Sequence, residues 1–236
     1  MNFFKKYQDL KNKTMSPAKR AQAKNDFFAF YVGRPISYWL TLPFLNTSIT
    51  PNQVSYLSII PLLCASFIMS TRIDTFALLI SWFSFFFWNL MDGVDGNLAR
   101  YRQQYSKDGS VVDAMIGYAA MFLTFFSVGI AASNITQQSF YIILGALSGV
   151  FQLFPRLVMH KYINTVGEDA SSSEVKQKAD YSPIKIFALN LTSITGLPQV
   201  FLLISICLNL IPHYTIFYFV INYLMMLMSL YTLFKN

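Results

Sequence analysis

Asp92, Asp95 and Asp113 are the residues of this chain best suited to chemistry. Asp92 and Asp95 follow directly on Phe-Phe-Phe-Trp-Asn-Leu-Met at the end of one long apolar stretch, and Asp113 stands at the start of the next. A carboxylate at the depth of a membrane is costly, so its presence points to function. Residues three apart share one face of a helix, and a following antiparallel helix brings Asp113 opposite that face. Three converging carboxylates repel one another, and a divalent cation relieves the repulsion. An all-oxygen ligand set suits Mg²⁺, Mn²⁺ or Ca²⁺ rather than zinc. Gly93, Gly96 and Gly109 surround the cluster. Glycine inside a helix costs about 1 kcal/mol relative to alanine. At Gly96 and Gly109 it would let a ligand come close to the backbone. Arg100, five residues after Asp95, offers a fork of donors to a phosphate. Metal, glycines and arginine together point to a nucleotide diphosphate.

The elements that position these residues are membrane helices. Of 236 residues, 54% are hydrophobic and 12% are charged, against roughly 25% charged in soluble domains. No Asp, Glu, Lys or Arg occurs from Pro35 to Thr71, Thr75 to Met91, Ala114 to Pro155 or Ile186 to Phe234. A bilayer-spanning helix needs about 20 apolar residues, and only a helix satisfies the backbone of a single span in lipid. This composition excludes a disordered chain, a disulfide-rich secreted domain and a soluble nucleic-acid binder. Cys64 and Cys207 are isolated within apolar stretches and support neither a disulfide nor a zinc site.

The fold class read from this pattern is all-α. A six-helix transmembrane bundle is expected, with spans near 52–70, 75–92, 110–132, 138–160, 184–208 and 212–233. Pro212 falls in the first turn of the last one, where proline is tolerated. Residues 1–25 are polar and basic and are expected to form a cytoplasmic segment outside the domain, which is assigned to 26–236. They do not resemble a signal peptide, because no short apolar core with a cleavage site follows. Residues 25–44, aromatic but interrupted by Gly33-Arg34-Pro35 and Pro43, suit an interfacial amphipathic helix. With both termini inside, the outer loops carry one basic residue, Arg72, and the other seventeen of eighteen Lys and Arg lie inside. The positive-inside rule then places the termini, the 93–109 loop and the 161–183 loop in the cytoplasm. Thr165–Asp180 reads as part of a solvated loop, and the short loops suit a bacterial inner membrane. No internal repeat is visible, and one domain is expected.

The string Asp92-x2-Asp95-Gly96-x2-Ala99-Arg100-x8-Gly109-x3-Asp113 resembles the signature of the CDP-alcohol phosphotransferases. That family's pattern is D-x2-D-G-x2-A-R-x8-G-x3-D-x3-D, and seven of its eight fixed positions match. Thr50-Pro51-Asn52-Gln53-Val54-Ser55 is similar to the opening of the family's first span, and Arg34-Pro35 also fits its pattern. The resemblance implies a membrane transferase, usually homodimeric, with its site open to the cytoplasm. It implies a CDP-linked donor, a lipid, alcohol or anionic acceptor, and release of CMP. Asp92, Asp95 and Asp113 match the family's metal ligands for Mg²⁺ or Mn²⁺. Gly96, Ala99, Arg100 and Gly109 match positions around the donor's cytidine and diphosphate.

The eighth position departs from the pattern: Gly117 stands where the family has an aspartate, assigned as general base and as a partner of a second metal. Three readings follow. The acceptor is already an anion and needs no base; Asp108, His160 or Tyr118 substitutes; or the protein binds a CDP-alcohol without turning it over. General-base catalysis contributes about 10²–10⁴-fold, so its loss slows a reaction without abolishing it. Asn52 reads either as a helix cap or as a polar group near the nucleotide, and Asn89 and Asn97 flank the cluster. Arg156, near the inner end of the fourth span, either snorkels to water or binds an acceptor phosphate or lipid headgroup. His213 lies on the outer side, away from the cluster. The N-terminal lysines suit anionic lipid, and no nucleic-acid partner is expected. A small transporter is the remaining alternative; its site would lie nearer the bilayer midplane.

Overall fold

The computed structural model describes residues 3–166 and 183–235, and every regular element among them is helical. Most of the 161–183 loop expected in the cytoplasm, including 167–180, lies outside the described residues. The chain runs α1 (Phe3–Thr14), α2 (Pro17–Ala23), a π-helical turn (Ala29–Gly33) leading directly into α3 (Arg34–Phe44), α4 (Pro51–Thr71), α5 (Thr75–Arg102), α6 (Gly109–Thr136), α7 (Phe140–Val166), α8 (Pro183–Thr192), α9 (Leu197–Cys207) and α10 (Ile211–Phe234).

Helices α4, α5, α6, α7 and α10 are each long and apolar enough to cross a membrane. The pair α8–α9, bent by 52°, makes a sixth crossing only if the two helices count as one broken span, where the sequence predicts one continuous span over 184–208. The bend falls at Gly196, whose backbone leaves helical geometry (φ −109°, ψ −132°) just before Pro198 in the first turn of α9. Proline supplies no backbone donor and fits best at such a start. Pro212 likewise sits in the first turn of α10, as its position predicts. The chain is therefore a multi-pass integral membrane protein.

The capping residues set where the helices begin. Thr50 accepts from the Gln53 amide at 3.3 Å, and the Gln53 side chain accepts from the Thr50 amide at 2.8 Å. This capping box, with Pro51 next to it, starts α4. Asp74 starts α5 by accepting from the Ala77 amide at 2.9 Å. The core between α4, α5, α6, α9 and α10 is built on Leu62, Phe85, Trp88, Met121, Phe125, Leu202 and Tyr218. Between α6 and α7 the backbones nearly touch: a Cβ at Gly129 would lie 2.7 Å from both Gly145 Cα and the Tyr141 carbonyl oxygen. Small residues at such crossings are what let membrane helices pack this closely.

Two elements differ from the sequence reading. That reading ends the second span near 92, yet α5 continues as helix to Arg102, so the 93–109 loop shrinks to 103–108. The charged residues of this extension find partners within the protein. Arg102 donates to the carbonyls of Phe44, Thr47 (2.7 Å) and Ile49 (2.6 Å), closing off the end of α3. The polar, basic N-terminal segment, for which the sequence reading names no element, forms two helices. Tyr7, Leu10 and Thr14 recur on one face of α1, and Leu10 packs with Tyr38 and Leu42 of α3 and with Tyr101 of α5. The Tyr101 hydroxyl donates to Asp9 at 2.8 Å.

Candidate active site

The start of α4, the long extension of α5 and the first turn of α6 meet around a cavity of about 670 Å³. The π-helical turn and α3 close one side through Gly33, Arg34 and Ser37, and Thr195, in the break between α8 and α9, reaches another. Asp92, Asp95 and Asp113 all line this cavity. One carboxylate oxygen from each lies within 4.8 Å of the others. Asp95 is buried, Asp92 half-buried and Asp113 exposed. The spacing on α5 and the antiparallel return of α6 thus produce the convergence that the sequence predicts. An all-carboxylate set of this size suits a hard divalent cation.

Ser55, one turn into α4, holds the cluster in place. Its hydroxyl donates to Asp95 Oδ2 and also lies 3.3 Å from the Pro51 carbonyl oxygen. A hydrogen bond of this kind orients a ligating carboxylate. Sequence reasoning assigns Ser55 no role beyond its place in the opening of the first span. That place was its only signal, because its partner lies forty residues away.

Arg100 folds back over Gly96. A Cβ at Gly96 would meet Arg100 Nη2 at 2.9 Å, so the glycine makes room for the guanidinium. Arg100 donates to Asn97 Oδ1 at 3.2 Å, and the Asn97 amide donates to Ser37 and Thr41 of α3 at 3.3 Å each. The fork is thus anchored through a buried asparagine to the neighbouring helix. Gly93 serves packing: a Cβ there would lie 2.8 Å from Ser37 Cβ. Gly109 faces Ser106 and Asn52; a Cβ at Gly109 would lie 2.9 Å from Ser106 Oγ. Asn52 donates to Ser106 Oγ at 2.9 Å, tying the start of α4 to the segment before α6. The capping reading of Asn52 does not hold, because Thr50 is the cap. Asn89 donates to Gln199 Oε1 at 3.1 Å and joins α5 to α9. Asn52, Asn89, Gly96, Asn97, Ala99, Arg100 and Gly109 all line the cavity.

Other sequence candidates stand apart from it. Arg156 is exposed on α7 and does not line the cavity. Tyr118 Oη and His160 Nδ1 lie 2.7 Å apart, pairing α6 with α7 outside the cavity wall. Asp108 is exposed just before α6. At Gly117 an added Cβ would meet nothing within 4 Å, so packing does not demand a glycine there.

The CDP-alcohol phosphatidyltransferase family matches residues 48–233, most of the chain and all three aspartates. The chain belongs to that family. No curated protein matches it. Family membership supports transferase activity in general, the family being one that transfers a phosphoalcohol group from a CDP-alcohol. The carboxylate cluster fits the divalent metal that this family generally uses. Helices α1 to α3 precede the matched stretch, yet Arg34 and Ser37 from that region complete the cavity wall.

Proposed function

We propose that this chain transfers a phosphoalcohol or phosphatidyl group from a CDP-linked donor to an acceptor, with release of CMP, in the synthesis of a phospholipid or surface-glycan precursor. The observation that carries this reading is the convergence of three carboxylates from two helices within 4.8 Å, beside Arg100, in a chain of this family. Asp92, Asp95 and Asp113 would hold Mg²⁺ or Mn²⁺, which when bound neutralises charge on the donor diphosphate and on departing CMP. Ser55 keeps the Asp95 carboxylate turned towards the cavity. Arg100 binds a phosphate of the donor through its fork, and Asn97 holds that fork in position. Gly96, Ala99 and Gly109, with Asn52, shape the wall against which the nucleotide lies.

In the transfer an acceptor oxygen attacks the phosphorus that carries the alcohol. The new P–O bond forms as the bond to the bridging oxygen of CMP breaks, and CMP leaves with that electron pair. Gly117 provides no base and leaves its face of α6 open. The acceptor that suits this site is one whose attacking oxygen arrives as an anion. Arg156 lies at the same end of the bundle and meets the acceptor headgroup. The protein works as a homodimer with both termini in the cytoplasm, and a bacterial inner membrane is the setting that fits.

The test is CMP release by the purified protein, with Mg²⁺ or Mn²⁺ and a panel of CDP-alcohols and CDP-diacylglycerol. Release is expected to need metal and one donor. Replacing Asp92, Asp95 or Asp113 by Asn should lower it by more than the roughly 10–100-fold that loss of an outer-shell partner costs. Full activity in Asp92→Asn would overturn the site. Metal-dependent CDP binding with no CMP release from any donor would instead identify a silent binding protein, the reading that Gly117 favours next.

A further inference from the structure

A second cavity, about 550 Å³, lies between the N-terminal helices and the end of α5. Lys13 and Thr14 of α1, Ser16, and Lys19 of α2 form one side; Arg100, Gln103 and Tyr105 form the other. No carboxylate lines it. Arg100 and Tyr105 also line the aspartate cavity, so the two spaces share a wall. Among the described residues the ion pairs are Lys13–Asp9, at 3.0 Å, and Arg72–Asp74. Arg100 and Lys19 therefore have no carboxylate in ion-pair contact. Arg34, an electrostatic neighbour of Arg100, is in no such pair either. Lys13 is shared with Asp9, whereas Lys19 and Arg100 line the cavity with no carboxylate in ion-pair contact among the described residues, and an anion between them offsets their mutual repulsion.

We propose that this cavity is a second anion site that binds a phosphate group, separate from the metal-held donor. The groups that line it suit phosphate: the Lys19 ammonium, the Lys13 ammonium beside Asp9, the Ser16 hydroxyl and the Gln103 amide, with the Arg100 guanidinium in the wall shared with the aspartate cavity. Phosphate oxygens accept several charge-assisted bonds at once, and arginine meets them in pairs. The αL conformation of Gln103, with φ 54°, ends α5 and turns the chain into the wall of this cavity. The site depends on α1 and α2, which precede the part of the chain that matches the family. Two sources supply a phosphate here: the headgroup of an anionic lipid or a water-soluble phosphomonoester. Exposed Phe27, Tyr31 and Trp39 on the adjoining segment are the side chains expected at headgroup depth.

The test uses the full chain in detergent with chelator present, so that metal-dependent donor binding does not contribute. Inorganic phosphate and short-chain phosphatidic acid are titrated separately by calorimetry. At least one is expected to bind saturably, and Lys13→Gln/Lys19→Gln should weaken it about tenfold or more, as the loss of charge-assisted bonds implies. Lys13→Arg/Lys19→Arg should retain binding. Binding of inorganic phosphate identifies the soluble source, and binding of the lipid alone identifies the headgroup. Saturable binding of neither probe, or equal affinity in the Gln variant, overturns the site. Metal-dependent CDP binding, measured on the same samples, shows that each variant is folded. It also separates failure here from failure of the transferase reading.

Discussion

The hydroxyl of Ser55 decides how Asp95 presents its oxygens, because it is the side chain that bonds the most buried of the three carboxylates. Outer-shell partners of this kind typically contribute 10–100-fold to metal affinity. Ser55→Ala is therefore expected to raise the Mn²⁺ concentration for half-maximal CMP release by about 10–100-fold, and Ser55→Thr to restore it. An unchanged metal requirement in Ser55→Ala would remove Ser55 from the site. Gly117 makes a second residue-scale prediction. Its surroundings are empty, so Gly117→Asp should fold with an unchanged thermal midpoint. The new carboxylate lies one turn from Asp113 and repels an anionic acceptor, so the KM for that acceptor should rise several-fold. A gain in kcat instead would show that the acceptor is a neutral hydroxyl waiting for a base. The aspartates, glycines and Arg100 were legible in the sequence because type and spacing along one helix suffice to find them. Ser55 and the Asn97–Ser37–Thr41 chain were not, because their roles depend on where α3 and α4 cross α5.

At the scale of elements, the crossing of α3 and α5 governs how Arg100 is held. Gly93 allows that crossing, since any Cβ there meets Ser37 Cβ, an atom close to the backbone that has little freedom to move. Gly93→Ala should therefore cost about 1–3 kcal/mol, the usual penalty for overpacking, and lower the thermal midpoint in detergent together with donor affinity. Adding Ser37→Gly should recover part of both; no recovery would mean that Gly93 serves something other than this contact. The same element shows why a reading of the sequence ends the second span too early. Charges at 92–102 look expensive in lipid, but they turn towards a cavity and the carbonyls at the end of α3. In α1 the lysines suggest a solvated tail, although Tyr7, Leu10 and Thr14 carry a helical period of apolar and small residues. The bend between α8 and α9 is written in Gly196 and Pro198, but their effect is hidden by the uniform hydropathy around them.

For the whole molecule, the question with most consequence is which side of the membrane the aspartate cavity faces. The 103–108 segment beside it carries Lys107, and the turn at the other end of α5 carries Arg72, paired with Asp74 at 3.1 Å. Seventeen of the eighteen basic residues lie on the cavity's side under the six-span reading, which by the charge rule is the cytoplasm. Cys64 and Cys207 are the native cysteines, both exposed on the bundle surface, so their replacement by serine leaves a chain suitable for single-site labelling. In that background, Arg72→Cys in intact cells should react with a membrane-impermeant maleimide. Lys107→Cys should react only after the membrane is opened. The reverse pattern would put the cavity outside, away from the cytoplasmic pool of CDP-linked donors, and would remove the proposed substrate even if the three carboxylates bound metal as described. Labelling at both positions in intact cells would mean that the spans do not cross in the order α4, α5, α6. The orientation and the chemistry thus stand on separate observations, and each is tested without assuming the other.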